Sequence, residues 1–91
     1  MIVSLEEAKL YLRVDGDEEN TLITDFIITA EEICEGILRC TISEFTTVPE
    51  TVKQAILYAT ANMYEQRESF DVKEVIETMK RLLFAYRVES W

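Results

Sequence analysis

The side chains that could do chemistry in this 91-residue chain are mostly carboxylates: eighteen Asp and Glu against nine Lys and Arg, with two cysteines and no histidine. Without imidazole, the commonest general base near neutral pH and the commonest transition-metal ligand are both missing. Cys34 and Cys40 cannot by themselves complete a four-ligand zinc site. They fall near the end of one expected helix, roughly on opposite faces, so reduced thiols are expected rather than a disulfide. Glu32-x-x-Glu35 lacks the His that di-iron helix bundles place at that spacing, so a metal site would have to be shared between subunits. Asp15-Gly16-Asp17-Glu18-Glu19-Asn20 resembles the start of a calcium loop, but Asn20 stands where a Gly is required and Phe26 where a bidentate Glu should be. Helix capping is the better reading of that run, and Glu31, Glu32 and Glu35 read as a solvated helix face. No glycine-rich phosphate loop or nucleophile elbow is present. The sequence therefore assigns no catalytic, cofactor-binding or metal residue, and the chain reads as non-enzymatic with no cofactor.

The elements that carry these residues are helical. Ser4 stands at an N-cap position with Glu7 three residues on, and Val3 and Ala8 fall at the staple positions around it. Helix 1 is expected over about 5–12 with Leu5, Ala8 and Leu12 on one face, and Arg13-Val14-Asp15-Gly16 reads as a turn. The acidic start at Asp17 suits the positive end of a long helix 2, about 17–39. In it Leu22, Ile23, Phe26, Ile27, Ala30, Ile33, Cys34, Ile37 and Leu38 repeat at spacings of three and four. Gly36 marks either a close helix contact or a place where that helix loosens. Residues 41–48 read as a connector that is partly extended, and Pro49 suits the first position of helix 3, about 49–66. Helix 3 is mostly apolar: Val52, Ala55, Ile56, Ala59 and Met63 form one stripe, with Leu57, Ala61 and Tyr64 beside it. Asp71 caps helix 4, about 71–87, with Glu74 at the capping-box position and Phe70 stapled against Val75. Its buried side is expected to hold Val72, Val75, Ile76, Met79, Leu82, Leu83 and Tyr86. The expected fold is all-α, a small bundle of about four helices forming one domain over 1–91.

Composition narrows the function further. Hydrophobic residues make up 48% of the chain and only two residues are Gly and one Pro, so it should fold compactly. No apolar run approaches the roughly 18–20 residues that span a bilayer, and the N-terminus lacks the basic flank of a signal peptide. No membrane association is expected, and the cytosol, or a particle assembled there, is the expected location. A formal charge of -9 opposes the counterion release that drives proteins onto duplex DNA. The same charge suits a passage through which DNA slides without sticking.

Three segments in order carry a family resemblance. Residues Ser4-Leu5-Glu6-Glu7-Ala8-Lys9-Leu10-Tyr11-Leu12-Arg13-Val14-Asp15-Gly16-Asp17-Glu18 resemble the opening of the tailed-bacteriophage head-tail connector, or DNA-packaging adaptor, proteins. Val48-Pro49-Glu50, then Val52-Lys53-Gln54-Ala55-Ile56-Leu57 and Met63-Tyr64-Glu65-Gln66-Arg67-Glu68, are similar to the middle of that family. Leu82-Leu83-Phe84-Ala85-Tyr86-Arg87 is similar to its closing motif, with Ala85 where members often carry Pro. The resemblance implies a structural virion protein, present in the bacterial cytoplasm during assembly or when prophage-encoded. It would form a ring of about a dozen copies below the portal protein, extend the DNA channel and bridge to the next head-completion or tail protein. Excess apolar surface for so short a chain agrees with self-association.

Arg67 and Arg87 fall near helix C-termini, where a guanidinium either caps its own helix or pairs with carboxylates across a subunit boundary. Tyr86 and Trp91 are amphipathic aromatics near a free end, a composition common at interfaces. These four are the candidate partner or subunit contacts. The competing class is a small helical regulatory domain that binds a partner protein, antitoxin-like or an acidic mimic of DNA. A DNA-reading member of that class needs a basic recognition helix, and none of the four expected helices has one.

Overall fold

Ser4 starts the first helix with a complete capping box. Its Oγ accepts the Glu7 backbone N–H at 3.1 Å, and its own N–H donates to Glu7 Oε1 at 3.1 Å. Two of the donors that a helix start leaves without partners are thereby satisfied. The computed structural model describes residues 2–39, 47–66 and 71–84, which form four helices: α1 Leu5–Leu12, α2 Asn20–Leu38, α3 Glu50–Glu65 and α4 Val72–Leu83. The protein is all-α, with no strand among the described residues.

α1 ends at Arg13, whose φ of 61° and ψ of 45° are left-handed. The Arg13 N–H donates to Leu10 O at 3.2 Å and the Val14 N–H to Lys9 O at 2.9 Å, the two bonds of a Schellman turn. The turn expected around Gly16 thus takes its positive φ from Arg13, and no glycine in the described chain has one. Arg39 is also left-handed at the end of α2, with a φ of 62°, and its N–H donates to Glu35 O at 2.9 Å, the single bond of the simpler αL cap. Each left-handed arginine stores about 1–2 kcal/mol that glycine would not.

α2 begins at Asn20, three residues after the acidic start that suggested Asp17. Asp17, Glu18 and Glu19 form a turn ahead of the helix, and Glu19 at the N-cap makes no side-chain cap. The capping expected of this run therefore does not occur. α3 begins at Glu50, with Pro49 one residue earlier than expected for a first helical position: its carbonyl accepts the N–H groups of Val52 and Lys53 at 3.0 and 3.3 Å. Asp71 caps α4 as expected, accepting the Glu74 N–H at 3.2 Å. Phe70, the other half of the expected staple, lies outside the described residues, as do Cys40 and most of the connector 41–48.

The core is one cluster drawn from all four helices and the N-terminal segment. Ile23, Ile27, Leu38, Val52, Ile56, Met79 and Leu83 are among its fully buried members, together with Val3 and Ala8. Thr60 is the one buried polar side chain among the described residues, and its hydroxyl donates to Ile56 O at 2.8 Å. α2 and α3 form the central pair, and α1 and α4 each pack against both of them. Tertiary bonds fix the directions. Glu31 in the second half of α2 accepts the N–H groups of Ile2 and Val3, so α1 runs antiparallel to α2. Tyr64 near the end of α3 donates its hydroxyl to Glu19 at the start of α2, so α3 is antiparallel to α2 as well.

Two apolar residues of α4 differ from the sequence reading. Val72 and Leu82 were expected on the buried side and are exposed at 47% and 38%. Val72 opens the helix ahead of the first buried position, Val75, and Leu82 lies at the edge of the Val75–Met79–Leu83 stripe. Tyr86 lies outside the described residues.

Gly36 neither approaches another helix nor interrupts α2. It is exposed, and a Cβ built on it meets nothing within 4 Å. Gly36→Ala therefore stabilises the chain by about 0.5–1 kcal/mol, through the lower backbone entropy of the unfolded state. The midpoint of urea unfolding rises accordingly; a fall would mean that a second molecule approaches this spot.

Candidate interaction surface

The four residues that sequence analysis offered as contacts, Arg67, Tyr86, Arg87 and Trp91, all lie outside the described residues. Surface features within the described residues lie elsewhere. Leu10 on α1 is 82% exposed and Phe84 at the end of α4 is 71% exposed, with Tyr11 and Ile28 also open to solvent. Single exposed apolar residues are ordinary. These two stand out because each sits off the apolar stripe of its own helix. At about 100° per residue, Leu10 is about 200° around α1 from the buried Ala8, and Phe84 about 140° around α4 from the buried Met79. Neither can turn into the core without rotating its helix. The signal was available in the sequence: both residues break the spacing of their neighbours.

Leu10 borders a shallow groove of about 460 Å³ lined by Glu6, Lys9, Leu10, Arg13, Val14 and Asp15. Local bonds hold its walls. The Lys9 ammonium donates to Asp17 Oδ1 at 2.9 Å, and the Asn20 amide donates to the same oxygen at 3.3 Å. Hydrogen bonding from Lys9, helped by Asn20, holds the Asp17 carboxyl below its ordinary 3.8. Glu7 is held below its ordinary 4.5, first by the Ser4 backbone N–H and then by the positive charge of Lys53, whose ammonium lies 3.9 Å away.

Both carboxylates are more acidic in the folded chain, so their contribution is complete above about pH 4.5 and is lost as pH falls through the lowered values. Protonation also relieves self-repulsion at a net charge of -9, so the whole-protein curve mixes two effects. A difference against Glu7→Gln, which cannot ionise, isolates one of them. The advantage of wild type over Glu7→Gln in urea unfolding should be constant from pH 7 to 5 and shrink below 4.5. A difference independent of pH would show that the Glu7 half of the capping box contributes nothing.

Among the described residues no three His, Cys, Asp or Glu side chains are grouped to hold a metal ion. Two carboxylates of the acidic run that resembled a calcium loop have other partners, Asp17 with Lys9 and Glu19 with Tyr64. Cys34 is buried. No helix among the described residues is long and apolar enough to cross a membrane.

Comparison with known proteins adds one finding. Residues 2–87 match the family described as phage gp6-like head-tail connector proteins. No curated protein and no solved structure gives a significant match.

Proposed function

The chain belongs to the phage gp6-like head-tail connector family, and from that membership we propose that it is a ring-forming adaptor of about a dozen copies, built on a closed rotational interface. A structural part in phage assembly, as a component of the virion, follows from the family itself. The proposal adds the particulars. One helical domain over 1–91 binds below the portal protein, extends the DNA channel and joins the capsid to the next head-completion or tail protein. It gathers at the head-tail junction after assembly in the bacterial cytoplasm. Arg67, Tyr86, Arg87 and Trp91 are proposed contacts to partners or neighbouring copies. No catalytic step is part of the proposal.

The observation that carries this reading is the family match over nearly the whole chain, 2–87. Two physical features support it. A formal charge of -9 keeps a passing duplex from being gripped by the wall, since binding DNA depends on cations that displace its counterions. Exposed leucine and phenylalanine on different helices supply apolar contact area between copies.

The test is the mass of the purified protein over a concentration series, by light scattering after gel filtration, with negative-stain images of large species. The expected result is closed rings, formed alone or on addition of portal rings. A monomer or dimer at every concentration that also fails to bind portal rings would overturn the reading in favour of a regulatory domain.

A further inference from the structure

We propose that Asp15-Gly16, in the connection between α1 and α2, is a site of spontaneous modification, where the aspartate closes to a succinimide and reopens in part as isoaspartate. The inference is independent of the ring reading. The reaction needs a carboxyl group on a short side chain, a following amide nitrogen free to attack it, and a backbone open enough for the two to meet. Glycine after aspartate obstructs the approach least, because it has no Cβ beside the attacking nitrogen.

Of the four aspartates in the chain, three are unsuited. The Asp17 carboxylate accepts from both Lys9 and Asn20, and the Asp71 carboxylate accepts the Glu74 N–H. Asp25 lies inside α2, where the next amide is held by a helix hydrogen bond. The residues that follow them, Glu18, Val72 and Phe26, are also bulky. Asp15 differs on every count. It is exposed and outside any helix, its carboxylate has no hydrogen bond or ion pair among the described residues, and the Gly16 N–H has no acceptor among them. The bonds on either side stop short of this pair: the Val14 N–H donates to Lys9 O, and Asp17 takes Lys9 and Asn20. Between these anchors nothing bonds the carboxyl away from the amide.

The chemistry uses only water. The Gly16 nitrogen attacks Cγ of the protonated Asp15 carboxyl; an N–C bond forms, a C–O bond breaks, and the departing hydroxyl leaves with the amide proton as water. Addition of water to the ring at Cγ returns aspartate. Addition at the main-chain carbonyl gives isoaspartate, whose main chain runs through Cβ and Cγ. Net charge is unchanged, but the connection gains one methylene between the cap at Arg13 and Asp17, on the rim of the groove that Asp15 lines.

Gly16→Ala is the matched variant. Gly16 has no positive φ, so alanine fits the backbone, and the added Cβ meets only the carboxylate end of Glu18, a flexible exposed side chain that can swing aside. The full chain is aged for several weeks in neutral buffer made with heavy-oxygen water, beside a sample unfolded in guanidinium chloride. Digestion with an endoprotease that cleaves before aspartate but not before isoaspartate, followed by mass spectrometry, places the product. Isoaspartate and one heavy oxygen per event are expected at residue 15, ahead of residues 17, 25 and 71. The folded chain should convert at a rate within about tenfold of the unfolded sample, as an unbonded loop allows, and Gly16→Ala should be slower by about tenfold or more. Conversion confined to the unfolded sample overturns the proposal, because the fold then protects the site. Conversion first at Asp17, Asp25 or Asp71, or an equal rate in Gly16→Ala, overturns it as well.

Discussion

Ile56→Ala should lower the free energy of unfolding by about 2–5 kcal/mol, the range for truncating a fully buried aliphatic side chain to alanine. Ile56 is completely buried at the middle of α3, the helix that packs against all three others. The core it belongs to draws on all four helices, so the space left behind is not easily closed by shifting one helix alone. The loss is large beside the total, because a chain of this length has on the order of 5–14 kcal/mol of stability. A fall in Tm of about 10 °C or more follows, as each kcal/mol shifts a small domain by roughly 4–8 °C. Thermal unfolding by circular dichroism measures it. Leu10→Ala is the matched control, and as a surface change it should alter stability by less than about 0.5 kcal/mol. A drop below about 1 kcal/mol for Ile56→Ala would mean that α3 is not held in one packing.

The parts of this architecture that depend on periodicity were legible in the residues. The three-and-four spacing of α2 marks nine residues, of which Ile23, Ile27, Ala30, Cys34, Ile37 and Leu38 are buried and Leu22, Phe26 and Ile33 half-buried. Ser4 and Asp71 announce their helices because capping is a local interaction. What depends on competition between local and tertiary partners was not legible. Glu19 sits where a carboxylate could serve a helix start, yet it accepts the hydroxyl of Tyr64, forty-five positions away. Arg13 occupies a left-handed position that residue preferences reserve for glycine, and Gly16 nearby does not. Leu10 and Phe84 passed as ordinary helix residues, because the sequence shows that they leave the apolar stripe but not that nothing else covers them. The contacts proposed from sequence, Arg67 and Arg87 as guanidinium groups near helix ends and Tyr86 and Trp91 as amphipathic aromatics near a free end, lie outside the described residues.

Glu31→Ala should cost about 2–3 kcal/mol, and the damage should be concentrated at the N-terminus. Oε2 of Glu31 accepts the backbone N–H of Ile2 at 2.7 Å and of Val3 at 3.2 Å. Bonds to an ionised acceptor contribute about 1.5–3 kcal/mol each, and removing the acceptor leaves both donors to find water. Val3 adds to the effect, since its side chain is fully buried and its backbone is positioned by this carboxylate. Once the segment is released, Val3 is no longer held in the core and Ser4 loses part of the geometry that caps α1. Hydrogen exchange should therefore speed up most at Val3 and through the first turn of α1, while the middle of α3 speeds up only as far as the fall in global stability requires. Glu31→Gln separates charge from shape. Its amide oxygen can still accept, so it should retain about half of the stabilisation, because neutral acceptors form bonds roughly half as strong as ionised ones. Equal losses for Ala and Gln would assign the effect to charge alone, whereas unchanged exchange at Val3 in both variants would show that the N-terminal segment is held by apolar packing and that the two hydrogen bonds are incidental.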